Sequence, residues 1–128
     1  MQLRTEIADL RIDSQRIIHI RFNDCDRHGL TEAMEIVEAH NTLAAGVPAC
    51  VLADIRSVKV GADRAARKYY VSPESAEYKR GMAMVVSSPM QRMLGNIFMR
   101  LNRPPYPTRL FMHEAEALRW LEHLEDNA

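Results

Sequence analysis

RGMAMVVSSPMQRMLGNIFMRLNRPPYPTRLFM, residues 80–112, decides the fold class. Met82 to Ser87 is a short apolar run of the kind that forms a strand buried on both faces. Ser88 is a favoured N-cap, because its hydroxyl accepts from an unpaired N–H of the first turn. Pro89 fits the first helical position, where no N–H is missed. Gln91, three residues after Ser88, can reach back to the cap N–H in the manner of a capping box. Met90, Met93, Leu94, Ile97, Phe98 and Leu101 recur at spacings of three and four, which predicts a helix packed on a core by that face. Its polar face carries Gln91, Arg92, Asn96, Arg100 and Asn102. Pro104 and Pro105 end it, and 107–112 reads as a further strand.

Working outward, 2–12 and 16–22 predict two strands of a hairpin turning at Asp13-Ser14-Gln15. A polar loop, 23–29, leads to a helix with Thr31 as its cap and Gly46 as its stop. Ala49 to Asp54 is apolar and unalternating, again a covered strand. Residues 62–79 predict a broken helix restarting at Ser72-Pro73. The last helix, 114–125, turns Ala117, Leu118, Trp120, Leu121 and Leu124 inward, and its acidic C-terminal end opposes the helix dipole and is expected to fray. Strands alternating with helices imply βαβ units and a mainly parallel sheet in one α/β domain spanning 1–128.

Seventeen Lys and Arg balance seventeen Asp and Glu, which removes a chain-wide electrostatic case for nucleic acid. No apolar run approaches a membrane span. MQLRTEIADLRID lacks the apolar centre of a secretion signal, so a cytoplasmic protein with two reduced thiols, Cys25 and Cys50, is expected.

No stretch carries a chemistry by itself. Asp24, Cys25, Asp26 and His28 are metal-capable, with His40 on the next helix, but they lack paired ligand spacing and read as a polar loop. Neither cysteine sits in a nucleophile elbow, and no glycine-rich phosphate loop is present. A non-catalytic protein without metal or cofactor is therefore expected. The six methionines from Met82 to Met112 are expected in the core. Asn96, Arg100, Arg103 and Arg109 form a candidate anion or acidic-partner site, since Arg supplies the planar fork for carboxylate or phosphate. Tyr69, Tyr70, Tyr78 and Met90 form a candidate apolar pocket between 62–79 and the central helix. The N-terminal hairpin offers an edge for a homodimer or a partner strand.

The strand ending in Asp54, the connector and broken helix, the MVVSSP strand and the GNIF…LNRPPYPTRLF…EAEALRWLE tail resemble the STAS-like (SpoIIAA-like) domains, over about residues 15–124. That superfamily includes anti-sigma-factor antagonists and small bacterial proteins without assigned biochemistry. The resemblance implies a sheet of about five strands, an N-terminal hairpin followed by alternating βα units, with helices packed on the sheet. It implies a regulatory or protein-interaction module, with a lipid-like or anionic ligand as the alternative. Regulatory members are similar in carrying a phosphorylatable Ser or Thr shortly after the strand matched by Ala49–Asp54. Asp54 matches the strand-terminal Asp of that pattern. The hydroxyl position falls at or beside Asp63, and Ser57 lies too early, so the phospho-switch is expected to be missing. Asp63 is either a standing mimic of the modified state or a charge favoured in a helix's first turn.

Overall fold

The computed structural model describes residues 1–126. Six strands form one sheet in chain order: β1 (Gln2–Arg4), β2 (Ala8–Ile12), β3 (Ile18–Phe22), β4 (Ala49–Asp54), β5 (Lys79–Val85) and β6 (Thr108–Phe111). The first three are antiparallel; β3 to β6 run parallel. The N-terminal hairpin is thus a three-stranded meander, because Thr5 and Glu6 break the run 2–12. The Asp13 turn forms as expected, its carboxylate accepting from Gln15 N and Ile17 N at 2.9 and 3.0 Å.

The helices are α1 (Leu30–Ala44), α2 (Arg64–Tyr70), α3 (Pro73–Ala76), α4 (Pro89–Asn102) and α5 (Glu114–Asp126). The parallel strands advance one place at a time, so right-handed crossovers put α1, α2–α3 and α4 on the same face. On that face Ile36, Leu43 and Ala44 of α1 close the main core over Leu10, Ile18, Ile20, Val51 and Ala53. The opposite face has α5 alone, with Ala117 and Leu121 over Cys50, Leu52, Ala83, Val85 and Phe111. β4 lies between the two cores, and its first five residues are all buried, as its unbroken apolar run predicts.

Several ends differ from expectation. Gly29, not Thr31, holds the N-cap position of α1, and Glu32 Oε1 accepts from Gly29 N at 2.8 Å. Thr31 is exposed inside the helix. The left-handed residues Ala45 (φ 53) and Gly46 (φ 84) stop α1. Arg16 donates to the carbonyls of Ala44 and Val47 at 3.0 and 3.2 Å, which supplies the cation that α1's own last turn lacks. The break between α2 and α3 is as expected, with Ser72 accepting from Ser75 N and Pro73 following it. The acidic end of α5 is anchored, because Glu125 Oε2 accepts from Arg80 at 2.7 Å.

Candidate functional site

The largest departure from the sequence reading is α4. Its caps are as expected: Ser88 Oγ accepts from Gln91 N at 3.1 Å, and Pro89 is the first residue. Its orientation is not. No residue of α4 is buried. Met90, Met93, Leu94, Ile97 and Leu101 are 68%, 55%, 57%, 40% and 80% exposed. The half-buried side is Gln91, Gly95, Phe98, Met99 and Asn102. The expected core face is corrected accordingly, and so is the core role of Met90 and Met93, which are exposed; Met82 and Met84 of β5 are partly buried against the main core, as expected.

Two local features hold the helix this way. A Cβ on Gly95 would collide with Leu110 Cδ2, so glycine lets the helix lie close against the Leu110 side chain of β6. Gln91 forms a latch: its Oε1 accepts from Ser87 N and Ser87 Oγ at 2.7 and 3.1 Å, and its Nε2 donates to Ile55 O at 3.2 Å. Gln91 therefore reaches the main chain one residue before the cap rather than the cap itself.

The outward side of α4 has two stripes. Met90, Leu94, Ile97 and Leu101 form an apolar one at i, i+4, i+7 and i+11, one line along a helix. Arg92, Asn96, Arg100 and Arg103 form the polar one. Arg92, Asn96 and Arg100, with Pro89, Met93 and Met112, line a cleft of about 320 Å³ between α4 and the end of β6. Of the candidate anion site, the structure brings Asn96 and Arg100 together. Arg103 caps the helix in the left-handed conformation (φ 37). Arg109 lies on the other sheet face, its guanidinium 5.2 Å from the centre of the Phe111 ring. Arg92, Met93 and Met112 belong to the cleft and were not assigned to it from sequence. The signal for them was Gly95, since a mid-helix glycine costs about 1 kcal/mol against alanine and marks a close approach.

Asp54, Ser57 and Asp63, the residues that the resemblance suggested for a switch, are placed as follows. Asp54 receives Arg56 Nε and Nη2 at 2.9 and 2.8 Å and Arg56 N at 3.1 Å. The Arg56 hydrogen bond holds its carboxyl below the usual range and raises the guanidinium in turn. Asp54, Arg56, Leu52, Arg21, Arg11, His19 and Glu114 line a second cleft, of about 350 Å³, where α5 leaves β2 and β3 uncovered. Ser57 is exposed in the turn after Asp54. Asp63 is the N-cap of α2 and accepts from Ala66 N at 2.9 Å. Its Oδ2 would lie 3.1 Å from a Cβ at Gly29, so the starts of α1 and α2 meet there.

Tyr70 and Tyr78 pack against the main core; Tyr69 is half-buried and Met90 exposed. The two clefts are lined by none of these four. The Tyr70 hydroxyl is 2.6 Å from His28 Nε2. Burial pushes Tyr70's ionisation upward and lowers that of His28, against the pull of Glu32 and Asp63. Cys25 Sγ donates to Arg27 O at 3.4 Å. Cys50 is fully buried, and burial pushes its thiol to about 12, leaving it an inert apolar filler.

A sheet that begins as a meander and continues in βα units, with α1 to α4 on one face and α5 on the other, has the SpoIIAA-like fold. A crystal structure of a DUF3478-family protein with that fold, from Shewanella loihica PV-4, is similar to this chain at a TM-score of 0.68 and 16% identity, over 94% of this chain and 98% of that one. The chain itself belongs to DUF7793, a domain of unknown function, whose family model matches residues 10–125. A protein of unknown function from Arthrobacter sp. FB24 is 23% identical over 93% of this chain and 95% of its own, with a TM-score of 0.32. No curated protein matches the sequence. No helix among the described residues is long and apolar enough to cross a membrane.

Proposed function

We propose that this protein is a non-catalytic docking module whose contact surface is α4. The observation behind this reading is the exposure of Met90, Leu94, Ile97 and Leu101, a continuous apolar line on a helix with no buried residue. A lone exposed leucine is ordinary, but a contiguous apolar patch beside polar residues is the mark of an interaction site. Methionine suits such a surface, because its unbranched chain adapts to different partners. The reading also fits Asp54 and Asp63, whose carboxylates serve an ion pair with Arg56 and the cap of α2.

A photo-crosslinking side chain placed at Leu94 or Leu101 tests it in cells. The expected result is a discrete adduct from both positions and none from Glu38 on the exposed side of α1. Equal labelling from all three sites, or none from α4, overturns the reading.

A further inference from the structure

The docking reading leaves the nature of the partner open, and the strand beside α4 bears on it. β6 ends the sheet, and among the described residues no strand pairs with its outer edge. Met82 N donates to Pro107 O and Val86 N to Phe111 O, both at 2.9 Å. Main-chain groups alternate in direction along a strand, so 107, 109 and 111 face β5. The N–H and C=O of Thr108 and Leu110 therefore point outward, unpaired by the sheet. The Arg92–Arg100 cleft flanks this edge on one face, and Arg109 stands on the other.

Charge selects among occupants. The chain as a whole is neutral, yet 78–113 holds no Asp or Glu and six Lys or Arg: Lys79, Arg80, Arg92, Arg100, Arg103 and Arg109. Arg80 is paired with Glu125. Among the described residues, Arg92, Arg100, Arg103 and Arg109 enter no ion pair. A second copy meeting β6 to β6 would bring these arginines together and repel. A bilayer surface would attract the arginines but offers the strand edge no main chain to pair with. An added strand satisfies both: its main chain pairs with Thr108 and Leu110, and its side chains alternate between the two faces. Carboxylates suit the arginines on either face, and apolar side chains suit Met93 and Met112 in the cleft.

We propose that the outer edge of β6 and the adjoining α4 cleft receive an extended segment of a partner protein in which acidic and apolar residues mix. This deepens the docking reading and rests on it. The test uses a fluorescent peptide of about ten residues, alternating Glu and Val, about the length of a long strand. Its Lys–Val counterpart and phosphatidylcholine–phosphatidylglycerol vesicles serve as comparison probes. Titration into the whole protein should show saturable binding of the acidic peptide alone, with slowed amide exchange at Thr108 and Leu110. Thr108→Pro deletes one outward N–H, which an edge strand tolerates, and should weaken binding up to about tenfold, the loss of one charge-free hydrogen bond. Arg92→Ala with Arg100→Ala, two exposed positions that leave the core untouched, should weaken it at least as much. No acidic-peptide binding, unchanged binding in both variants, or retention on vesicles in place of peptide overturns the proposal. If α4 crosslinks persist alongside such a result, the docking surface stands and only the acidic-strand partner falls.

Discussion

α1 and α4 lie on the same face of the same sheet and are nearly equal in length, at 15 and 14 residues. α1 buries seven side chains, including Glu32 and His40; α4 buries none. Yet α4 has the cleaner apolar stripe. The contrast shows that periodicity reports a helix with one apolar side, not what that side meets. α1 sits over the middle of the sheet, between strands that need cover. α4 crosses to the last strand, where one glycine and one glutamine fix its contact and leave the apolar line free.

Four measurements bear on the contrast, the first expected to be the largest. Ile36→Ala, in the α1 core, should cost roughly 2–5 kcal/mol in denaturant unfolding, the range for truncating a fully buried aliphatic. A cost under about 1 kcal/mol would put the two helices on an equal footing. The second is acid sensitivity. His40 on α1 is fully buried, its Nε2 3.0 Å from Tyr78 O. Burial, with the Lys79 charge nearby, lowers it from 6.5 to about 4. The folded state resists protonation, so stability is full above the unfolded value and lost as pH falls from about 6.5 toward 4. A drop of that size corresponds to about 3 kcal/mol. His40→Gln, which keeps a donor and does not titrate, should flatten that fall; an unchanged pH profile assigns it to other groups.

The third is Gly95→Ala. In an exposed helix the change would stabilise by about 1 kcal/mol. Here the collision with Leu110 should reverse the sign, to a loss of roughly 1–3 kcal/mol. A gain in stability would show that α4 does not press on β6. The smallest effect is expected from Leu101→Ser: within about 0.5 kcal/mol in unfolding, as for surface changes generally, but with weaker binding of a hydrophobic fluorescent dye. A loss of about 2 kcal/mol would mean that Leu101 is covered.

Much of the architecture was legible. Ser88-Pro89 and Ser72-Pro73 announced two helix starts, Gly46 a helix end, and Ala49 to Asp54 a strand buried on both faces, because each signal is a local demand of the main chain. The third strand of the meander was not, since three residues at an edge leave too short a pattern to count. Of the candidate site, Asn96 and Arg100 were legible as polar residues on one helix side. Arg109 was not separable from them, because two strand neighbours on opposite sheet faces are adjacent in sequence. Met112 joins them only through the return of β6 beside the start of α4.

By itself the sequence determined an α/β fold with a mainly parallel sheet, and most of the points where its helices begin and end. These follow from capping, proline and glycine geometry and apolar runs, all of which act within a few residues. Only the tertiary structure decided which side of α4 faces the sheet. That choice depended on Gly95 meeting Leu110 and Gln91 meeting Ile55, contacts between residues 15 and 36 positions apart. Two sides of one helix compete for burial through such contacts, and a close approach to the Leu110 side chain with a polar latch outweighed the side richer in apolar surface.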